Sequence, residues 1–78
     1  MNNYLLKKIG EEASEVAQAV FKHLLHRDRP SKYDLLGEMA DMQTMLNRAR
    51  GKLSRRELAI FNQELAARTK REDQKGKW

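Results

Sequence analysis

Leu5, Ile9, Ala13, Val16, Val20 and Leu24 recur every three or four residues, and Leu6, Ala17 and Phe21 widen the same stripe. That period belongs to an α-helix and not to a strand, so it predicts a helix from about Asn3 to Leu25. His26-Arg27-Asp28-Arg29-Pro30 interrupts it, because proline disfavours helix in the residue before it. Ser31, with Asp34 three residues on, resembles a capping box and predicts the start of a second helix there. Its apolar positions, Leu35, Met39, Met42, Met45, Leu46 and Ala49, keep the helical period until Arg48, Arg50 and Gly51 supply a C-terminal end. After a turn over Gly51 to Leu53, Ser54 and Glu57 form a second capping box, opening a third helix with a thin apolar edge of Leu58, Phe61, Leu65 and Ala66. The polar stretch from about residue 70 to 78 predicts a frayed tail, with Trp78 at its end.

The expected fold is therefore all-α, one domain over residues 1–78, a short helical hairpin plus a third helix. A chain of 78 residues buries little surface, roughly 60% of what its unfolded form exposes, and two helices with a narrow third do not close a core. Pairing with further copies into a four-helix-type bundle, as a dimer or tetramer, is the economical solution. Without cysteine there is neither a disulfide framework nor a thiolate zinc site. No apolar run reaches the roughly 18 residues of a membrane span, and the expected location is the cytoplasm. A net charge of +5 suits a polyanionic partner, while an aromatic content of 6% lacks the basic and aromatic interleaving of a nucleic-acid platform.

The chemistry is concentrated in acids at helical spacing. Glu12 and Glu15 lie about 60° apart around the first helix, and Glu38 and Asp41 repeat that geometry on the second. Charged residues on a helix surface are common, so spacing alone leaves a solvated face as the default. The position of Glu38 argues against that default, because it falls inside the arc of Leu35, Met42, Met45 and Ala49. Glu12 sits at the border of the Ile9 to Val16 stripe. A carboxylate drawn toward an apolar seam needs a proton, a partner or a metal. Packed through these stripes, the two helices bring four carboxylates together, a hard oxygen set suited to Mg²⁺ or Mn²⁺ together with substrate phosphates.

The pattern E-E-x-x-E, at Glu11, Glu12 and Glu15, followed after 22 residues by E-x-x-D, at Glu38 and Asp41, resembles the signature of the MazG-like all-α nucleoside triphosphate pyrophosphohydrolases. That superfamily includes phosphoribosyl-ATP pyrophosphohydrolase and the dimeric dUTPases. The flanking Lys8-Ile9-Gly10 and Val16-Ala17-Gln18-Ala19 are similar to the family's first motif helix, and the likeness runs from about Tyr4 to Arg50. The resemblance implies magnesium on Glu12, Glu15, Glu38 and Asp41, and hydrolysis of a nucleoside triphosphate to monophosphate and pyrophosphate by an oligomer. A spare carboxylate, Glu11 or Glu15, would orient or deprotonate the water, whereas Glu11 can equally pair with Lys7 or Lys8.

Family members carry a further helix ahead of the E-E-x-x-E helix that helps to hold the base, and ten residues precede Glu11 here. Helix three, the Tyr4 region or a second chain is then the source of a base pocket, and a non-catalytic nucleotide-sequestering module is the alternative function. A basic helical nucleic-acid-binding protein is the weaker third reading. For phosphate contact the candidates are Arg48, seven residues after Asp41, and Arg68, seven after Phe61. Compensation of the helix dipole accounts equally for Arg48, and snorkelling over apolar surface for Arg68. His23 and His26 lie too far along the first helix to join the acids as ligands.

Overall fold

A computed structural model describes residues 1–76, and all regular structure within them is helical. The first helix, α1, spans Asn3–His26; α2 spans Arg29–Gly51; α3 spans Arg55–Lys75. The Asn2 side chain caps α1 by accepting from the Leu5 N–H at 2.8 Å. At its other end Arg27 takes the left-handed conformation, φ 50°, which lets its N–H donate to the His23 carbonyl at 2.7 Å.

The second helix begins three residues earlier than the Ser31 box predicts. Asp28 is the N-cap, its carboxylate accepting from the Ser31 N–H at 2.8 Å, and Pro30 sits in the first turn, where its missing N–H costs nothing. Ser31 is instead buried beneath the hairpin tip. Its hydroxyl donates to the Asp28 carbonyl at 3.1 Å and lies 2.8 Å from His23 Nδ1. Asp34, freed from any capping role, reaches across to Lys22 on α1 at 3.3 Å.

In α3 the capping box forms as its sequence indicates: Ser54 accepts from the Glu57 N–H at 3.2 Å and the Glu57 carboxylate accepts from the Ser54 N–H at 2.8 Å. The polar stretch after Thr69, expected to fray, is helical through Lys75. Lys, Arg, Glu and Gln are strong helix formers, Lys75 pairs with Glu72 at 2.9 Å, and Gly76 closes the helix with φ 64° and an N–H to the Asp73 carbonyl. Trp78, at the end of the expected tail, lies outside the described residues.

The extended interhelical packing is that of α1 on α2. Its core is small: among the described residues Leu5, Ala19 and Ala49 are the buried hydrophobics, and no large side chain is fully enclosed. Leu6, Phe21 and Leu24, the widest part of the α1 stripe, remain exposed, as do Leu36, Met39 and Leu46 of α2. The third helix is tied to α2 through Arg50, which donates to Asn62 at 3.1 Å and stands 5.7 Å over the Phe61 ring. The resulting shape is a slab of 43 × 35 × 13 Å. Its radius of gyration of 15.0 Å exceeds the about 11.5 Å of a compact domain of this length. No helix among the described residues is long and apolar enough to cross a membrane.

Candidate metal centre

One face of α1 points along the seam with α2. Leu5, Glu12 and Ala19 recur at seven-residue intervals on it, and the small Ala19 and Ala49 let the helices approach. Glu12 therefore enters the seam at mid-helix, and Glu38 enters it from α2, both half-buried. Ligand oxygens of Glu12, Glu15 and Glu38 lie within 4.8 Å of one another, close enough to share a cation.

Glu12 Oε2 and Glu38 Oε2 are withdrawn from solvent and have no hydrogen-bond partner among the described residues. An ionised carboxylate oxygen only accepts, so each needs a donor, a proton or a cation. The electrostatics point the same way. Desolvation, then the charges of Glu15 and Asp41, push the Glu12 carboxyl above its ordinary range, and Lys8 offsets this only partly. Glu38 is raised first by hydrogen bonding with Glu15 and next by desolvation, with the charges of Glu15, Asp41 and Glu12 adding to both. A hydrogen bond between two carboxyls requires a proton on one of them; fully ionised, the pair has none. Asp41 thus belongs to the cluster electrostatically, on the side where Glu15, Glu38, Lys22 and Asp34 line a cleft of about 410 Å³.

Glu11 stands apart from this group. Exposed on α1, it pairs with Lys8 at 3.4 Å, the local partner its spacing allows. Arg48 is brought to the acids: it lines, with Glu12, Lys8, Lys52, Tyr4 and Met45, a cleft of about 570 Å³ at the open end of the hairpin. Arg68 is not, since it pairs with Glu64 of its own helix at 3.1 Å. His23 is engaged with Ser31 at the hairpin tip. Lys8 and Lys52 were not singled out by sequence as cleft residues. The available signal was the four-residue spacing of Lys8 from Glu12, which puts that pair on one helix face, and the place of Lys52 just past the end of α2, four residues after Arg48.

The donor set fits a hard divalent cation. Glu12, Glu15 and Glu38 offer carboxylate oxygens, Asp41 lies beside them, and all are of the type Mg²⁺ and Mn²⁺ select. No protein-family profile, curated protein or solved structure matches the chain.

Proposed function

We propose that this chain is a Mg²⁺-dependent nucleotide pyrophosphohydrolase of the MazG kind, with Mn²⁺ as an alternative ion, working in the cytoplasm as a homo-oligomer. The observation that carries the reading is the pair of unpartnered, solvent-withdrawn oxygens, Glu12 Oε2 and Glu38 Oε2, in a group where oxygens of Glu12, Glu15 and Glu38 lie within 4.8 Å of one another. A divalent cation held by Glu12, Glu15, Glu38 and Asp41 would supply charge neutralisation for a triphosphate and Lewis-acid activation of the attacking water. Water adds to the phosphorus between sugar and leaving pyrophosphate, the P–O bond to pyrophosphate breaks, and the water's proton passes to a carboxylate.

Glu15 suits that last role because it is the exposed member of the three convergent acids. Glu11 is paired with Lys8 and lies outside the convergent acids, which leaves it the lesser candidate. Arg48 lines the adjoining cleft with Glu12 and is the guanidinium proposed for phosphate contact. Oligomerisation into a four-helix-type bundle gives the exposed Leu6, Phe21 and Leu24 a surface to cover.

Resolving the products of each nucleoside triphosphate incubated with the protein, with and without Mg²⁺, tests the reading. Monophosphate and pyrophosphate that vanish with chelator and in Glu38→Gln support it. Tight nucleotide binding without product would replace it by a sequestering module, and neither binding nor turnover would remove it.

A further inference from the structure

The charges along the hairpin seam are sorted by sign. From the open end come Lys8, Arg48 and Lys52, then Glu12, Glu15, Glu38 and Asp41, and then the Lys22–Asp34 pair that closes the seam toward the tip. Apposed blocks of opposite charge in a protein usually neutralise one another through ion pairs. Here they do not: among the described residues Arg48 and Lys52 have no carboxylate partner, Lys8 is matched by Glu11 outside the seam, and the inner oxygens of Glu12 and Glu38 have no donor. The cations instead line the larger of the two seam clefts, about 570 Å³, together with Glu12 and Tyr4.

A ligand that satisfies both blocks carries its own cation at one end and anionic groups at the other. We propose that the open-end cleft is the polyphosphate and base subsite of this protein, Lys8, Arg48 and Lys52 binding phosphate oxygens and the Tyr4 ring stacking on the base. The proposal rests on the reading of the acids as a divalent-cation site. It adds a direction: the nucleotide extends from the acids toward the open end of the hairpin and not toward Tyr33 and Lys22. The sizes are compatible, since four residues of helix separate Lys8 from Glu12, about 6 Å along the axis, a distance the outer phosphate groups of a triphosphate can bridge. Tyr4 is largely exposed, and Lys8 Nζ stands 5.9 Å from its centroid, so the ring is already steered beside a phosphate-binding cation. Stacking on a single tyrosine is tolerant of base identity, because every base offers a π-face.

Calorimetric titration of the full chain with inorganic tripolyphosphate, and separately with Mn²⁺ alone, tests the assignment. Arg48→Ala and Lys52→Ala are each expected to weaken tripolyphosphate binding about tenfold, the loss of one charge-assisted contact, while Mn²⁺ affinity stays within about twofold. Lys22→Ala, in the other cleft, is expected to change neither. Tyr4→Ala should leave tripolyphosphate binding intact and weaken α,β-methylene-ATP, which resists cleavage at the bond in question, by about fivefold or more.

Unchanged tripolyphosphate affinity in Arg48→Ala and Lys52→Ala, or an equal loss in Lys22→Ala, overturns the proposal. If Mn²⁺ fails to bind while tripolyphosphate binding remains sensitive to Arg48 and Lys52, the cation reading of the acids falls and the anion cleft stands. If Mn²⁺ binds and tripolyphosphate is indifferent to both residues, the reverse holds.

Discussion

At the scale of single residues, Glu38 is both a proposed cation ligand and a source of instability. Its carboxyl and that of Glu12 titrate above the ordinary carboxylate range, so over that range the folded chain holds more protons than the unfolded one. Stability must then fall as pH rises through the raised values and stay low at neutrality, the opposite of the usual carboxylate contribution. Asp28 and Glu57 run the ordinary way, lowered by their hydrogen bonds with Ser31 and Ser54, and their contribution is lost as pH falls. Glu38→Gln removes one charge from the cluster and gives Glu15 an amide donor. Without divalent ions it is predicted to melt at a higher temperature than wild type at neutral pH, with the gap closing as pH falls through the ordinary carboxylate range. A lower melting temperature at neutral pH would show that Glu38 is not under strain. For wild type, Mg²⁺ should raise the melting temperature more at pH 8 than at pH 5, since ions and protons compete for the same oxygens.

At the scale of helices, the hairpin and α3 are held in different ways. The hairpin tip is closed by Ser31, whose buried hydroxyl links Asp28 to His23. Ser31→Ala strands the His23 nitrogen and is predicted to cost about 1–2 kcal/mol in urea unfolding. The Ser54 cap serves a helix with no buried residue of its own. Ser54→Ala is expected to cost about 1 kcal/mol locally, seen as faster amide exchange over the first turns of α3 with the hairpin amides unchanged.

These two serines also mark how far local sequence carries. The Ser54 box was legible because both of its hydrogen bonds lie within four residues. The Ser31 box was not, because Asp28 competes for the same helix start and Ser31 and Asp34 spend their side chains on α1, a choice set by tertiary contact. The acids were legible for the converse reason: helical period fixes which of them share a face. Glu11 was separable from Glu12 by its neighbour Lys8, but the cleft formed by Tyr4, Lys8, Arg48 and Lys52 needed the register between two helices far apart in sequence.

At the scale of the molecule, α1 carries Glu15 and the exposed Leu24 on opposite sides, since nine residues apart they are about 180° from each other around the helix. A second copy laid on the apolar side leaves the acid seam open. Light scattering should accordingly give a mass that is a multiple of 9.1 kDa for the wild type. Leu24→Asp, at a position half exposed in the single chain, should shift it to the monomer with little loss of helix. A monomeric wild type would refute the assembly without touching the metal site.

The claim on which the account turns is that Glu12, Glu15, Glu38 and Asp41 form one divalent-cation site. Titration of Mn²⁺ followed by electron paramagnetic resonance reads it directly, since bound ion loses the sharp signal of the free one. The account predicts saturable binding by wild type, displaced by Mg²⁺ and weakened at least about tenfold in Glu38→Gln, as expected when one carboxylate ligand is lost. Weak, unsaturable binding, or equal binding by wild type and Glu38→Gln, would contradict it.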